Sequence, residues 1–465
     1  MNNKNLQDST QQTAVLSIAI DENESVSRTF WRYVIPTIAA MVVNGLYQII
    51  DGLFVGYYIG FEGLAGINMA LPIIAVIIGV GIMIGMGAGS FMSIYRGEGN
   101  DDKAQAILVN SLWLIVIMAG FSMLFIDYLG VSLLTLQGAV DNTLSYSLDY
   151  IKIFIWGAGA TIAAGVIPML IRNDDSPNFA TGLMILGAAV NIVLDYILIG
   201  ILGWGLKGAA IGTVIAGLIV SIIGIGYFLS SHAQIKFDLT KLKFNLGIMR
   251  GILRLGVSSL FMFIYFSFVI AIHNKLLMSY GSAVQVGAFA IIGYIATLYY
   301  MIAEGLANGI QPPISYYYGA QQTEKIKATV LLALKIVILS GIATVVVLNI
   351  YPDLIVSLFI NNDSVLASET ENGLRLHLST LFLDGFLFIA SVYFMAVNQG
   401  GKALAVSVGN VLTQLPFLYF LPLWLDVDGI WLSLPLSNVL LTLVVAPVLW
   451  RNLLHTCSIG LSSDE

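Results

Sequence analysis

Twelve long apolar segments, six on either side of one polar stretch, constrain what this chain can fold into more than any other feature. They run at about Phe30 to Ile59, Ile67 to Tyr95, Ala104 to Leu129, Leu144 to Ile171, Asn178 to Leu202 and Gly208 to Leu229. The second six are Ile248 to Tyr280, Val284 to Tyr317, Ile326 to Ile350, Leu374 to Val397, Ala403 to Leu425 and Gly429 to Leu453. A helix needs about 20 apolar residues to cross the hydrocarbon core, so each segment is long enough to span it. With 58% hydrophobic and only 10% charged residues in 465, no water-soluble globule is available to this composition. A soluble domain carries about 25% charged residues.

The polar stretch between the halves holds His232, Lys236, Asp238, Lys241 and Lys243. It divides the chain into a tail (1–28), an N-lobe (29–230), a linker (231–247), a C-lobe (248–453) and a second tail (454–465). Loops on the cytosolic side of a membrane are enriched in Lys and Arg. Of the 20 Lys and Arg, all but Lys152, Lys207, Lys275, Lys335 and Arg375 fall on one side if both termini are cytosolic, and the even number of spans agrees. The short apolar run Ala14 to Ile20 lacks the basic flank and cleavage site of a signal peptide, so it reads as part of a cytosolic tail.

The halves repeat. Ser93 with Ser315, Tyr95 with Tyr317, Gly97 with Gly319 and Lys103 with Lys325 share one offset of 222, and Gly208 with Gly429 differ by 221. Equal halves that begin on the same side make a parallel repeat about an axis along the membrane normal, with a cleft between two six-helix lobes. The expected fold is an all-α polytopic membrane protein with twelve transmembrane helices in two lobes related by a pseudo-two-fold axis.

Against this background the acids inside the spans stand out: Asp51, Asp195 and Asp384, with Glu304. A charge at the bilayer centre costs roughly 2.5–3.5 kcal/mol even on lenient scales, so such acids mark ion or substrate pathways. Tyr47 and Asp51 lie four apart on the first span and Asn191 and Asp195 four apart on the fifth, each pair on one helix face. Thr213, on the sixth, reaches a comparable depth in the outer half. Carboxylates, amide, hydroxyl and phenol so grouped can hold a proton or gather oxygen ligands around a small cation. The bland alternative is an acid capped by a neighbouring hydroxyl or facing water. Asp384 on the tenth span, Glu304 on the eighth and His273 on the seventh are candidates for a second site, His273 either titrating or donating to a carbonyl. Pro36 removes a backbone donor inside the first span and is expected to kink it.

Much else is excluded. Net charge −7 gives no basic footprint for nucleic acid. One cysteine permits no intramolecular disulfide. No phosphate-cradling loop GxxxxGK[ST], zinc motif HExxH or nucleophile elbow GxSxG occurs, so neither ATP-driven transport by this chain alone nor hydrolysis is indicated, and no cofactor is expected.

With these residues in view, the chain resembles the multidrug and toxin extrusion (MATE) transporters, and within them the DinF-type bacterial branch, from Phe30 to Leu453. The similarity rests on Pro36, Tyr47 and Asp51 followed by Phe54-Val55-Gly56, on Asn191 and Asp195, on Thr213, and on Gln311-Pro312 closing the eighth span. It implies a non-enzymatic exporter of the bacterial inner membrane that works as a monomer. Such a protein expels cationic or amphipathic organic compounds in exchange for an inward proton, with Asp51, Asp195, Asn191 and Thr213 at the coupling site, and Tyr47, Tyr150 and Pro36 at the substrate pocket. Asp384 is similar to an acid of the sodium-coupled NorM branch, so sodium remains the alternative ion, with the same four residues as its ligands. A flippase of lipid-linked intermediates is the alternative activity, although its pyrophosphate cargo calls for a more cationic cleft.

Overall fold

The computed structural model describes residues 24–137, 141–237, 243–359 and 364–461. Ala14 to Ile20, Asp238 and Lys241 lie outside them. Fourteen helices are seen among the described residues, with no strand. The first half contributes α1 (Val26–Tyr58), α2 (Phe61–Gly97), α3 (Asp101–Leu136), α4 (Asp141–Asn173), α5 (Pro177–Asp195) and α6 (Gly205–Leu229). The second contributes α7 (Leu246–Tyr280), α8 (Ala283–Gly319), α9 (Thr323–Ile350), the short α10 (Pro352–Val356), α11 (Ser364–His377), α12 (Leu381–Ala396), α13 (Gly400–Phe420) and α14 (Pro422–Leu461).

Eleven of these helices are long and apolar enough to cross a membrane alone. The twelfth crossing is a broken one, α11 and α12 joined at a bend of 47°. The tenth apolar segment is thus two half-helices meeting at Leu378–Thr380, and Asp384 stands in the first turn of the second half. Two further departures from regular helix occur. A wide π-helical stretch, Tyr196–Ile201, follows directly on Asp195. In α14, Asp426 leaves the helical region (φ 50°, ψ −127°), so the twelfth span effectively begins beyond it.

Local sequence explains where helices start. Asn245 caps α7 by accepting from Gly247 N (2.9 Å) and Ile248 N (3.2 Å), and Ser282 with Gln285 forms a capping box on α8. The Asn245 backbone N–H in turn donates to Asn110 Oδ1 on α3 (2.8 Å), and Asn110 Nδ2 to the Lys243 carbonyl (3.2 Å), which stitches the end of the linker to the first half.

Two separate apolar cores define two lobes, one built on α2 to α6 and the other on α8 to α14. The starts of the first helices are exchanged between them. Phe30, Tyr33 and Val34 of α1 pack in the second core, while Met249 and Ile252 of α7 pack in the first. The rest of α1 returns to the first lobe, where Val55 joins its core. Pro36 therefore lies at the start of the passage of α1 from one lobe to the other, since Ile38 still packs on the second core.

The repeat is visible as contacts. Lys103 Nζ sits 5.2 Å over the Tyr95 ring, and Lys325 Nζ 5.4 Å over that of Tyr317. A Cβ on Gly97 would strike the carbonyl of Tyr316, and one on Gly319 that of Ile94. Each glycine thus lets the other half's backbone approach at the mirror position, and the pseudo-two-fold axis passes between them.

Candidate ion-coupling site

Asp195, fully buried at the end of α5, lies within hydrogen-bonding reach of Asp51, half-buried on α1. α5 brings Asn191 one turn earlier, and Asn191 Nδ2 donates to Thr213 Oγ1 on α6 at 3.3 Å. Thr213 Oγ1 spends its own proton on the Ala209 carbonyl (3.1 Å), so it turns a lone pair toward the amide. Tyr47 on α1 and Tyr150 on α4 both feel the charges of Asp51 and Asp195. The four residues expected from the sequence to form a coupling site, and two of the three expected at the substrate pocket, are thus gathered at one place.

The atoms left over in this pocket share one character. Asp51 Oδ1, both carboxyl oxygens of Asp195 and Asn191 Oδ1 are buried without a hydrogen-bond donor among the described residues. All four are acceptors. Two ionised carboxylates cannot hydrogen-bond each other, so the pair needs a shared proton or a small cation between its oxygens. A buried polar group without a partner costs about 1–3 kcal/mol, more if charged, which is the driving force for taking one up.

Gly212 was not singled out by sequence reasoning. A Cβ there would lie 2.8 Å from Asp195 Oδ1 and 3.8 Å from Asn191 Nδ2, so only glycine leaves the carboxyl room. Its neighbour Thr213 was the available signal, but a glycine in a membrane helix is too common to read alone. Thr181, another residue not anticipated, donates from α5 to the Pro36 carbonyl at 2.8 Å. The helix that carries Asp195 thereby holds α1 at the residue where its passage between lobes starts.

The remaining acids do not join this pocket. Asp384 accepts from Asn438 Nδ2 (2.8 Å) and from Tyr300 Oη (3.1 Å), so each of its oxygens has a donor. Tyr265 Oη nearby donates to Gln414 Oε1 (2.7 Å). Glu304 is hydrogen-bonded by Asn308 and faces the charge of Arg172. His273 is stacked on Phe289 (ring centroids 5.0 Å) and lies edge-on to His377 (5.4 Å). Its Nδ1 donates to the Val269 carbonyl at 2.9 Å. Among the described residues no group of three or more His, Cys, Asp or Glu is placed to hold a metal ion.

Fold and site together define a class: a polytopic membrane carrier of two repeated lobes, with a pair of donor-free acids inside one of them. The chain belongs to the MatE family, whose model matches residues 36–197 and again 258–420, one match in each half. It is similar to the Multidrug export protein MepA of Staphylococcus haemolyticus (strain JCSC1435), at 24% identity over 421 residues covering 90% of this chain and 92% of that protein. Among solved structures it is similar to a MATE crystal structure in the straight conformation (TM-score 0.87, 24% identity, 94% of this chain and 98% of that one). A MATE crystal structure in the bent conformation is equally near (TM-score 0.88, 23% identity, the same coverage). These likenesses carry the twelve-helix, two-lobe fold.

Proposed function

We propose that this protein is a proton-coupled antiporter that exports cationic or amphipathic organic compounds from a bacterial cell, working as a monomer of the DinF-type branch. The observation that carries the coupling is the set of four unpaired acceptor oxygens on Asp51, Asp195 and Asn191. Support for the cargo comes from the similar MepA proteins, named as multidrug exporters. The membrane is the bacterial inner membrane with both termini in the cytosol, as the distribution of Lys and Arg suggests.

In the mechanism we infer, an ionised Asp51–Asp195 pair accompanies a bound cationic compound in the cleft beside Tyr47 and Tyr150. A proton arriving from outside is shared by the two carboxyls and removes the charge that favours the cation. Because Asp51 rides on α1, and α1 passes from one lobe to the other, the change at the pocket acts on a helix that both lobes grip. The compound leaves outward, and return to the inward-facing state delivers the proton to the cytosol. Coupling is then the difference in affinity of one pocket in its two charge states.

The test is efflux from proteoliposomes under a pH gradient without sodium, and then under a sodium gradient without a pH gradient. Transport driven by the pH gradient, lost in Asp51→Asn and in Asp195→Asn, is expected. Transport by the sodium gradient alone would replace the proton with sodium on the same acceptor oxygens. Drug-independent movement of lipid-linked sugars would favour a flippase.

A further inference from the structure

On the side of the membrane where the termini lie, α8 carries a polar stripe at Glu304, Asn308, Gln311 and Ser315, whose spacing of four, three and four puts them on one helix face. In an otherwise apolar helix that stripe is unexplained by the ion pocket. It faces the end of α4 in the other lobe. Asn173 Nδ2 donates to Gln311 Oε1 and Gln311 Nε2 donates back to Asn173 Oδ1, both at 3.1 Å and both buried. This reciprocal amide pair is anchored from each lobe. Ser93 Oγ of α2 donates to Asn173 Oδ1 (2.7 Å), Arg96 Nη1 to the Asn173 carbonyl (2.7 Å), and Gln311 Nε2 also to Ser315 Oγ (3.1 Å). Ser315 Oγ closes the array on the Ala396 carbonyl (3.0 Å).

Two turns along α8, Glu304 feels the charge of Arg172, the residue before Asn173, although no ion pair within 4.0 Å joins them among the described residues. Arg172 is only 2% exposed, its Nε has no hydrogen-bond partner, and its Nη2 reaches no closer than 4.0 Å to Met184 Sδ. The acid left over by the coupling site thus faces a buried cation across the boundary between lobes.

We propose that the seam Asn173–Gln311, with Arg172 facing Glu304 beside it, is the lock that holds the two lobes together on the cytosolic side during outward release. The inference rests on the alternating-access reading above and adds to it the residues that set the resting balance between the two states. The physical reason is that both bonds of the amide pair exist only while the lobes are in contact, and Asn173 Nδ2 is the one donor seen to reach Gln311 Oε1 among the described residues. Separation exposes both amides to water, which replaces these bonds at little cost, so the lock is specific without being too strong to open. An apolar contact of the same area would lack that register, since it would tolerate sliding along α8.

The test reads distances between lobes and needs neither a drug nor an ion gradient. Spin labels at Glu98→Cys and Gln321→Cys, both exposed beside the seam, are placed in a Cys457→Ser background in lipid nanodiscs and measured by double electron–electron resonance. A short distance should dominate in the parent. Gln311→Ala and Asn173→Ala should each raise the long-distance population several-fold, and the exchanged pair Asn173→Gln with Gln311→Asn should bring it back down. Glu304→Gln should raise it less. Unchanged distributions in both alanine variants, each shown to be folded by its thermal unfolding profile, would overturn the lock. So would a failure of the exchanged pair to restore the short distance. Loss of drug coupling with a normal response of these distances would instead count against the antiport reading alone.

Discussion

Gly212 and Asp174 show how single residues set the chemistry at the two ends of the N-lobe. Gly212→Ala places a methyl group 2.8 Å from Asp195 Oδ1, too near for the carboxyl to stay where it is. The expected outcome is a folded protein whose pH-driven efflux falls at least several-fold and whose pH optimum moves, because the shift separates Asp195 from Asp51. Efflux measured across external pH checks this, and a profile superimposable on the parent's would refute it. Asp174, in the turn between α4 and α5, accepts from Gln234 N, Ile235 N and Tyr227 Oη, all at 2.8 Å, and so clasps the start of the inter-lobe linker. Burial pushes its carboxyl up to about 6, against the pull of the Arg96 charge and of these donors. The native state therefore holds a proton that the unfolded state releases between about pH 4 and 6. Its contribution to stability is present below that window, is lost as pH rises through it, and stays constant above. The melting temperature of the parent relative to Asp174→Asn should accordingly rise as pH falls from 7 to 4.5, by an amount corresponding to at most about 3 kcal/mol. A constant difference across that range would contradict the assignment.

At the scale of elements, α1 is the member to watch, since its first turns pack in one lobe core and its later turns belong to the other. Pro36→Ala restores a backbone N–H at the crossing and stiffens the helix. Thr181→Val removes the hydroxyl that holds the Pro36 carbonyl, at a cost of about 1 kcal/mol. Both should lower efflux, but they should differ in binding. Thr181→Val leaves α1 free to move and should change the apparent affinity for the compound, whereas Pro36→Ala should slow turnover with affinity retained. Equilibrium binding alongside initial efflux rates separates the two, and identical behaviour would show that α5 does not steer α1. The twelve crossings were legible in the sequence because a span needs only length and apolarity. The break at Leu378–Thr380 was not, since neither Pro nor Gly stands at the bend, Ser379 and Thr380 are tolerated inside membrane helices, and hydropathy cannot see a change of helix direction. The π-helical stretch after Asp195 escaped for a related reason. No Pro or local motif marks Tyr196–Ile201, and the ring of Tyr58 lies against Gly200 within it.

For the whole molecule, the offset of 222 pairs Gly97 with Gly319, and the structure sets these two glycines on either side of the pseudo-two-fold axis. What it could not show is that the acids break the symmetry. His273 occupies in the second half the position that Asp51 holds in the first, and it lies among aromatic rings with no carboxylate as its hydrogen-bond partner among the described residues. Asp384 has its donors, and Asp195 has none among the described residues. The lobes are thus equal as scaffolds and unequal in how their buried acids are satisfied, and scaffold and chemistry can be tested apart. Gly97 and Gly319 sit on the axis, and a methyl on either one meets backbone of the opposite half. Backbone cannot turn aside as a side chain can, so Gly97→Ala and Gly319→Ala should each wedge the lobes apart on the termini's side. Because the two contacts are related by the repeat, the two variants should shift the same inter-lobe distances by similar amounts, although they lie in different halves. Asp195→Asn and Asp384→Asn, one in each half but not related by the repeat, should differ sharply in their effect on proton-driven efflux. If the glycine variants responded unequally while the two acid variants responded alike, the separation between a symmetric frame and an asymmetric ion site would be lost.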